Sequence, residues 1–162
     1  MAIDAEDLKR VLSHWVTGVT IVTARAGDRI HGMTVSAFSE VSLDPPLVLV
    51  CADKGSNTHP VIAAGKVFAV NVLASDQADL SNRFASKKFE DSRFDELATA
   101  TGETGAPLID GVVANLDCRL VAAHDHGDHV VYVGEVVDVR YHEREPLLYH
   151  AGSYGVFSGG RG

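Results

Sequence analysis

Most of the apolar content of this chain lies in short runs rich in β-branched residues, each closed by turn-forming residues. The clearest are Val16 to Ala24, Leu47 to Cys51, Lys66 to Leu73, Val112 to Ala122 and Val130 to Tyr141. Six or seven strands joined by tight turns, with few helices, leave exposed edges unless the sheet closes on itself. The pattern therefore predicts an antiparallel barrel, mainly β with a few short helices. Val130 to Tyr141 carries apolar residues on both faces and so needs a second covering layer, which another subunit could supply to a chain of 162 residues. That length fits one domain, residues 1–162, with a core at about 5–157.

The helical signals are brief. Leu8, Val11, Leu12 and Trp15 share one helix face, with Asp4 as a cap and Gly18 as a stop. Ala26 to Arg29 is turn chemistry, which makes a hairpin of the strands around it. Pro60 to Ala64 reads as a short helix ended by Gly65, and Ser75 as the cap of another that carries Leu80 and Phe84. From Ala85 to Pro107 the chain turns polar, with Phe89, Phe94 and Leu97 as isolated anchors, and reads as a long surface excursion, a lid or a partner contact. In Val112 to Ala122 strict alternation puts Ala114, Leu116, Cys118 and Leu120 on a core face and Asn115, Asp117 and Arg119 on a wet one.

A formal net charge of -8 argues against a nucleic-acid surface. Cys51 and Cys118 sit inside apolar runs, as small core residues of a reducing compartment do. The acidic start, Met1 to Asp7, lacks the pattern of a signal peptide, and no apolar run is long enough to span a bilayer. The expectation is a cytoplasmic protein without a membrane partner.

No glycine-rich nucleotide fingerprint of the Rossmann or P-loop kind is present. Thr34 and Ser36 alternate with Val35 and Ala37 in a stretch that ends at Asp44-Pro45-Pro46, so small polar side chains on a rigid strand could leave room for a ligand. The loop Lys54 to Thr58 offers Ser56, Asn57 and Thr58 ahead of a helix start, where free backbone N–H groups attract anions; the same residues also serve as plain helix caps. His124, Asp125, His126, Asp128 and His129 have metal-binding chemistry but share one hairpin tip, so no metal site is assigned. Arg83 beside Phe84 could reach a phosphate or simply lie over the aromatic ring. Tyr149 and Tyr154 could be core residues or stack on a planar ligand.

Taken in order, five pieces resemble the flavin reductase-like family, the short-chain NAD(P)H:flavin oxidoreductases that serve two-component flavin-dependent monooxygenases. They are Thr17 to Thr23; Gly32 to Phe38 with Val41 to Leu47; Phe68 to Leu73; Phe84-Ala85; and Gly127-Asp128-His129 before Gly134-Glu135-Val136. Ala37 stands where many relatives carry a second serine. The resemblance implies a split β-barrel homodimer in which flavin, FMN with FAD tolerated, takes a hydride at N5 from NADH or NADPH. Thr34, Val35, Ser36 and Ala37 would line the flavin, with Cys51, Ala52, Asp53 and Lys54 continuing the wall. Ser56, Asn57 and Thr58 would take the phosphate, with Arg83 and Phe84 nearby. Gly127, Asp128 and His129 would meet the nicotinamide, His129 as the catalytic residue, and Gly152 and Tyr154 would close over the dinucleotide. The alternative implied by the same barrel is a flavin-binding module or sensor without turnover.

Overall fold

The computed structural model describes residues 2–159. The β-branched runs become a seven-stranded antiparallel sheet in the order β3-β2-β6-β9-β10-β5-β4. Its strands are β2 (Thr20–Ala26), β3 (Arg29–Val35), β4 (Phe38–Leu43), β5 (Pro46–Asp53), β6 (Val67–Val72), β9 (Ala114–His126) and β10 (His129–Tyr141). Met33 and Val35 at one end of that order and Val48 and Val50 near the other pack in one buried cluster with Val22, Phe68 and Tyr132. The sheet therefore curls round a single core. Register shifts in β10 between Val133 and Gly134 and between Val136 and Asp138 help it bend. At Gly134 a Cβ would meet Phe68 Cζ at 2.5 Å and Cys118 Cβ at 2.9 Å, so glycine lets the bent strand touch the core.

The barrel is split where the edge strands β3 and β4 meet. They are joined through Ser36 and Ala37, where the backbone makes a tie: Cys51 N donates to Ala37 O and Phe38 N to Ser36 O. Around the barrel lie α1 (Ala5–Leu12), α2 (Thr58–Gly65) and α3 (Ala78–Ala85). A small sheet of β1 (Thr17–Gly18), β11 (Leu147–His150) and β12 (Ser153–Val156) lies beside them.

Several expectations are revised. Asp4 does cap α1, accepting from Glu6 N at 2.7 Å, but the helix ends at Leu12 and Gly18 belongs to β1. Its predicted apolar face is left bare: no residue of α1 is buried, and Trp15 is 77% exposed. Ser75 does not cap α3; Gln77 holds the N-cap position without a side-chain capping bond, and its side chain accepts from Ala74 N ahead of the helix. The supposedly wet face of β9 is buried at Asn115 (3% exposed) and Asp117 (1%).

What covers that face is the polar excursion. It holds a 3-10 turn (Lys87–Ser92) and a hairpin of β7 (Thr99–Thr101) with β8 (Pro107–Ile109). Asp117 accepts from Thr104 N and Thr104 Oγ1, and Asn115 Nδ2 donates to Ile109 O. Buried polar groups need such partners, so the alternation in β9 marks a polar contact between layers.

Candidate active site

Alternation along β3 buries Val35 in the barrel and leaves Thr34 and Ser36 outside it. Thr34 Oγ1 donates to Ser81 O at 2.6 Å, which lays α3 against the strand. Three hollows meet at Thr34. The first, 190 Å³, is lined by Met33 to Ala37 with Cys51, Asp53 and His129. A second of 310 Å³ adjoins Asp53, Ser56, Asn57, Phe84, Lys87, Glu90 and Arg93. The third, 340 Å³, runs between Ser36, Ser81, Asn82, Tyr149, Gly152 and Tyr154. A roomier hollow of 500 Å³ lies between α3 and the segment that follows it, against Asp79, Arg83 and Glu96, and includes none of the β3 residues. We place the site at Thr34 because hydroxyls, small side chains and a histidine converge there.

His129 enters from the start of β10, in register with Asp53 on β5. The φ of +60° at Gly127 suits glycine and turns the chain tightly at the hairpin tip, so that His129, two residues on, lines the first hollow. His129 Nδ1 lies 2.7 Å from Asp128 Oδ1, and this hydrogen bond holds the Asp128 carboxyl below its usual range. A charged carboxylate has no hydrogen to give, so Nδ1 donates and Nε2 is left to meet a ligand. Lys54 steadies the hairpin from the other side: its Nζ donates to Gly127 O at 3.0 Å and its backbone N to Asp128 O.

At the second hollow Ser56 Oγ accepts from His59 N, so Ser56 does the capping of α2, while the Asn57 side chain makes no cap bond and turns to Glu90. Arg93 is 5% exposed and donates to Gly32 O and Ser86 O. In the third hollow the Tyr154 hydroxyl donates to Asn82 Oδ1 at 2.9 Å and lies 2.8 Å from Ser81 Oγ, tying the β11–β12 hairpin to α3.

Of the residues singled out in the sequence, Thr34, Val35, Ser36, Ala37, Cys51, Asp53 and His129 share the first hollow. Ser56, Asn57 and Phe84 line the second, and Gly152 and Tyr154 the third. The rest stand apart. Ala52 is in the core, Thr58 is buried against His31 Nδ1, and Lys54, Gly127 and Asp128 form the hairpin tip. Arg83 donates to Ser92 O and Asp95 O and so staples the excursion to α3. Lys87, Glu90 and Arg93 were not foreseen; a basic residue soon after Phe84 was the available signal for Lys87.

Burial raises the Cys51 thiol, and burial beside Asp117 pushes Cys118 up to about 12, so neither is poised as a nucleophile. Among the described residues no group of three His, Cys, Asp or Glu side chains could hold a metal ion. What the groove does offer is a wall of small side chains for a planar ring, hydroxyls, and an end where Lys87 and Arg93 could meet an anion. That donor set fits a flavin with its phosphate.

The profile of the flavin reductase like domain matches residues 12–158. The chain belongs to this family. Similar flavin reductases include the FMN reductase (NADH) SmoA of Agrobacterium fabrum, 41% identical over 155 residues, or 96% of this chain and 87% of the relative. The flavin-dependent monooxygenase reductase subunit HsaB of Mycobacterium tuberculosis is 38% identical over 94% of this chain and 82% of its own length. Among solved structures, the NADH:FAD oxidoreductase of Streptomyces globisporus, in complex with NAD and FAD fragments, superposes with a TM-score of 0.88 at 37% identity, covering 98% of this chain and 97% of that one. Within the described residues of this family member, no helix is long and apolar enough to cross a membrane.

Proposed function

We propose that this chain, acting as one domain, is an NAD(P)H:flavin oxidoreductase that reduces FMN, accommodates FAD, and hands reduced flavin to a partner monooxygenase. The observation that carries the reading is the meeting of three hollows at Thr34, with His129 over one, Lys87 and Arg93 in another and Tyr154 beside the third. Family membership and the relatives' activities support it. The bound cofactors supply the chemistry, a hydride passing from the nicotinamide to the flavin.

The protein's part is to bind and orient. Residues Thr34 to Ala37 present the flat wall, Cys51 and Asp53 continue it, and Ser56 and Asn57 stand at the phosphate end. From Nε2, His129 orients the nicotinamide carboxamide, with Asp128 fixing its tautomer. Tyr154 and Gly152 border the space left for the dinucleotide. Reacting atoms must be brought to roughly 3–3.5 Å, and rigid placement of both rings is what supplies the rate. NADH is the favoured donor, since among the described residues no arginine cluster stands ready for a 2′-phosphate.

We also propose a homodimer working in the cytoplasm. The bare face of α1, together with exposed Val121, Val139 and Tyr141 on the two long strands, supports a second copy as the missing layer. Following NADH and NADPH oxidation with and without FMN or FAD tests the reaction. Flavin-dependent oxidation is expected, strongest with NADH. Flavin binding without oxidation would make the protein a binding module instead.

A further inference from the structure

Glu90 stands where the proposed reductase activity has no obvious use for it. It lies on the 3-10 turn, and its side chain is 20% exposed. Oε1 accepts from Asn57 Nδ2 at 2.8 Å, lies 3.2 Å from His31 Nε2 and is 4.0 Å from an Arg93 nitrogen. Asn57, Glu90 and Arg93 all line the 310 Å³ hollow that also holds Ser56 and Lys87. One carboxylate oxygen thus occupies the ground between donors contributed by β3, the start of α2 and the segment after α3.

We infer that the Glu90 carboxylate is a built-in competitor for the flavin phosphate, weakening the binding of phosphate-bearing flavins so that flavin exchanges with solution. The inference rests on the reductase reading. Its physical basis is charge and occupancy. Lys87 and Arg93 are the cations of the hollow, and Asp53 and Glu90 cancel them. The Asn57 hydrogen bond holds the Glu90 carboxyl below its usual range, so it is ionised at neutral pH. Burial pushes His31 down, so the imidazole beside it contributes no full positive charge there.

A phosphate monoester carrying between one and two negative charges must displace Glu90 from Asn57 or lie beside a like charge. Both weaken it. Arg93 cannot swing across to compensate, because two of its nitrogens are committed to Gly32 O and Ser86 O. Its Nε is buried with no hydrogen-bond partner among the described residues. For an enzyme whose product must leave to reach a second protein, such a carboxylate favours release.

Glu90→Gln keeps an acceptor for Asn57 and removes the charge. Titrating the natural protein and the variant with FMN, FAD and riboflavin, each followed by flavin fluorescence, separates the possibilities. The dissociation constant for FMN should fall about tenfold. FAD, whose bridging phosphates carry one charge each, should tighten less, and riboflavin, without phosphate, should not change. Glu90→Ala should repeat that order, and thermal melts of both variants report whether they fold. Unchanged FMN binding, or riboflavin tightening as much as FMN, would overturn the inference while leaving the reductase reading in place. A natural protein that binds no flavin at all would overturn both.

Discussion

His129 and Thr34 illustrate how much chemistry one position can carry when its neighbours fix it. His129→Ala should slow hydride transfer about tenfold or more with little change in the flavin dissociation constant, read by stopped-flow mixing of flavin-loaded protein with NADH. Equal loss of flavin affinity would place the ring in flavin binding. His31 gives a residue-scale pH effect. Burial, with Arg93 and Arg29 nearby, lowers its pKa from 6.5, against the opposing pull of Glu90. The unfolded chain therefore takes up the proton first, so stability is full above about 6.5 and is lost as pH falls towards the folded value. The melting temperature should drop between pH 7 and pH 5, and His31→Gln should flatten that slope. At this scale the sequence was readable where chemistry follows local spacing, as at Thr34 and Ser36 on alternate strand positions or His129 after a glycine turn. It was not readable at Arg93, whose place depends on a contact with Gly32 that lies 61 residues away in the chain, or at Glu90, which is held by the distant Asn57 and His31.

Elements repeat the lesson. The strands and most turns follow from β-branched runs and their breakers, whereas the face each strand shows to its surroundings depends on what later folds over it. Asn71 is the clearest instance. A lone polar residue in an apolar strand, it donates from Nδ2 to Ile21 O and Thr23 Oγ1, and accepts at Oδ1 from Ile109 N and Asn115 Nδ2. It thereby joins β2, β6, β8 and β9. Asn71→Ala should cost about 2–4 kcal/mol in denaturant unfolding, since it removes these bonds and strands buried donors. A loss below about 1 kcal/mol would show that the excursion docks without it. The apolar stripe of α1 was equally legible, but none of the described residues of the chain buries it.

For the whole molecule, that uncovered stripe argues for a second copy more strongly than strand composition does. Trp15→Ser should weaken self-association at least tenfold by analytical ultracentrifugation while leaving the monomer folded, and a natural protein that sediments as a monomer would remove the homodimer proposal. The tethering of residues 86–110 has another consequence. Proteases act on backbone that can be drawn out and laid into their clefts, and long polar segments normally provide it. Here Arg93 secures one end to Gly32 O, while Thr23 Oγ1 to Pro107 O, Arg25 Nε to Gly105 O and Ile109 N to Asn71 Oδ1 secure the other. Between those ties the longest stretch outside the main sheet is therefore a poor place to cut, and Arg93, one of the residues a trypsin would seek there, is itself one of the knots, which leaves the exposed Lys87 and Lys88 as its points of entry.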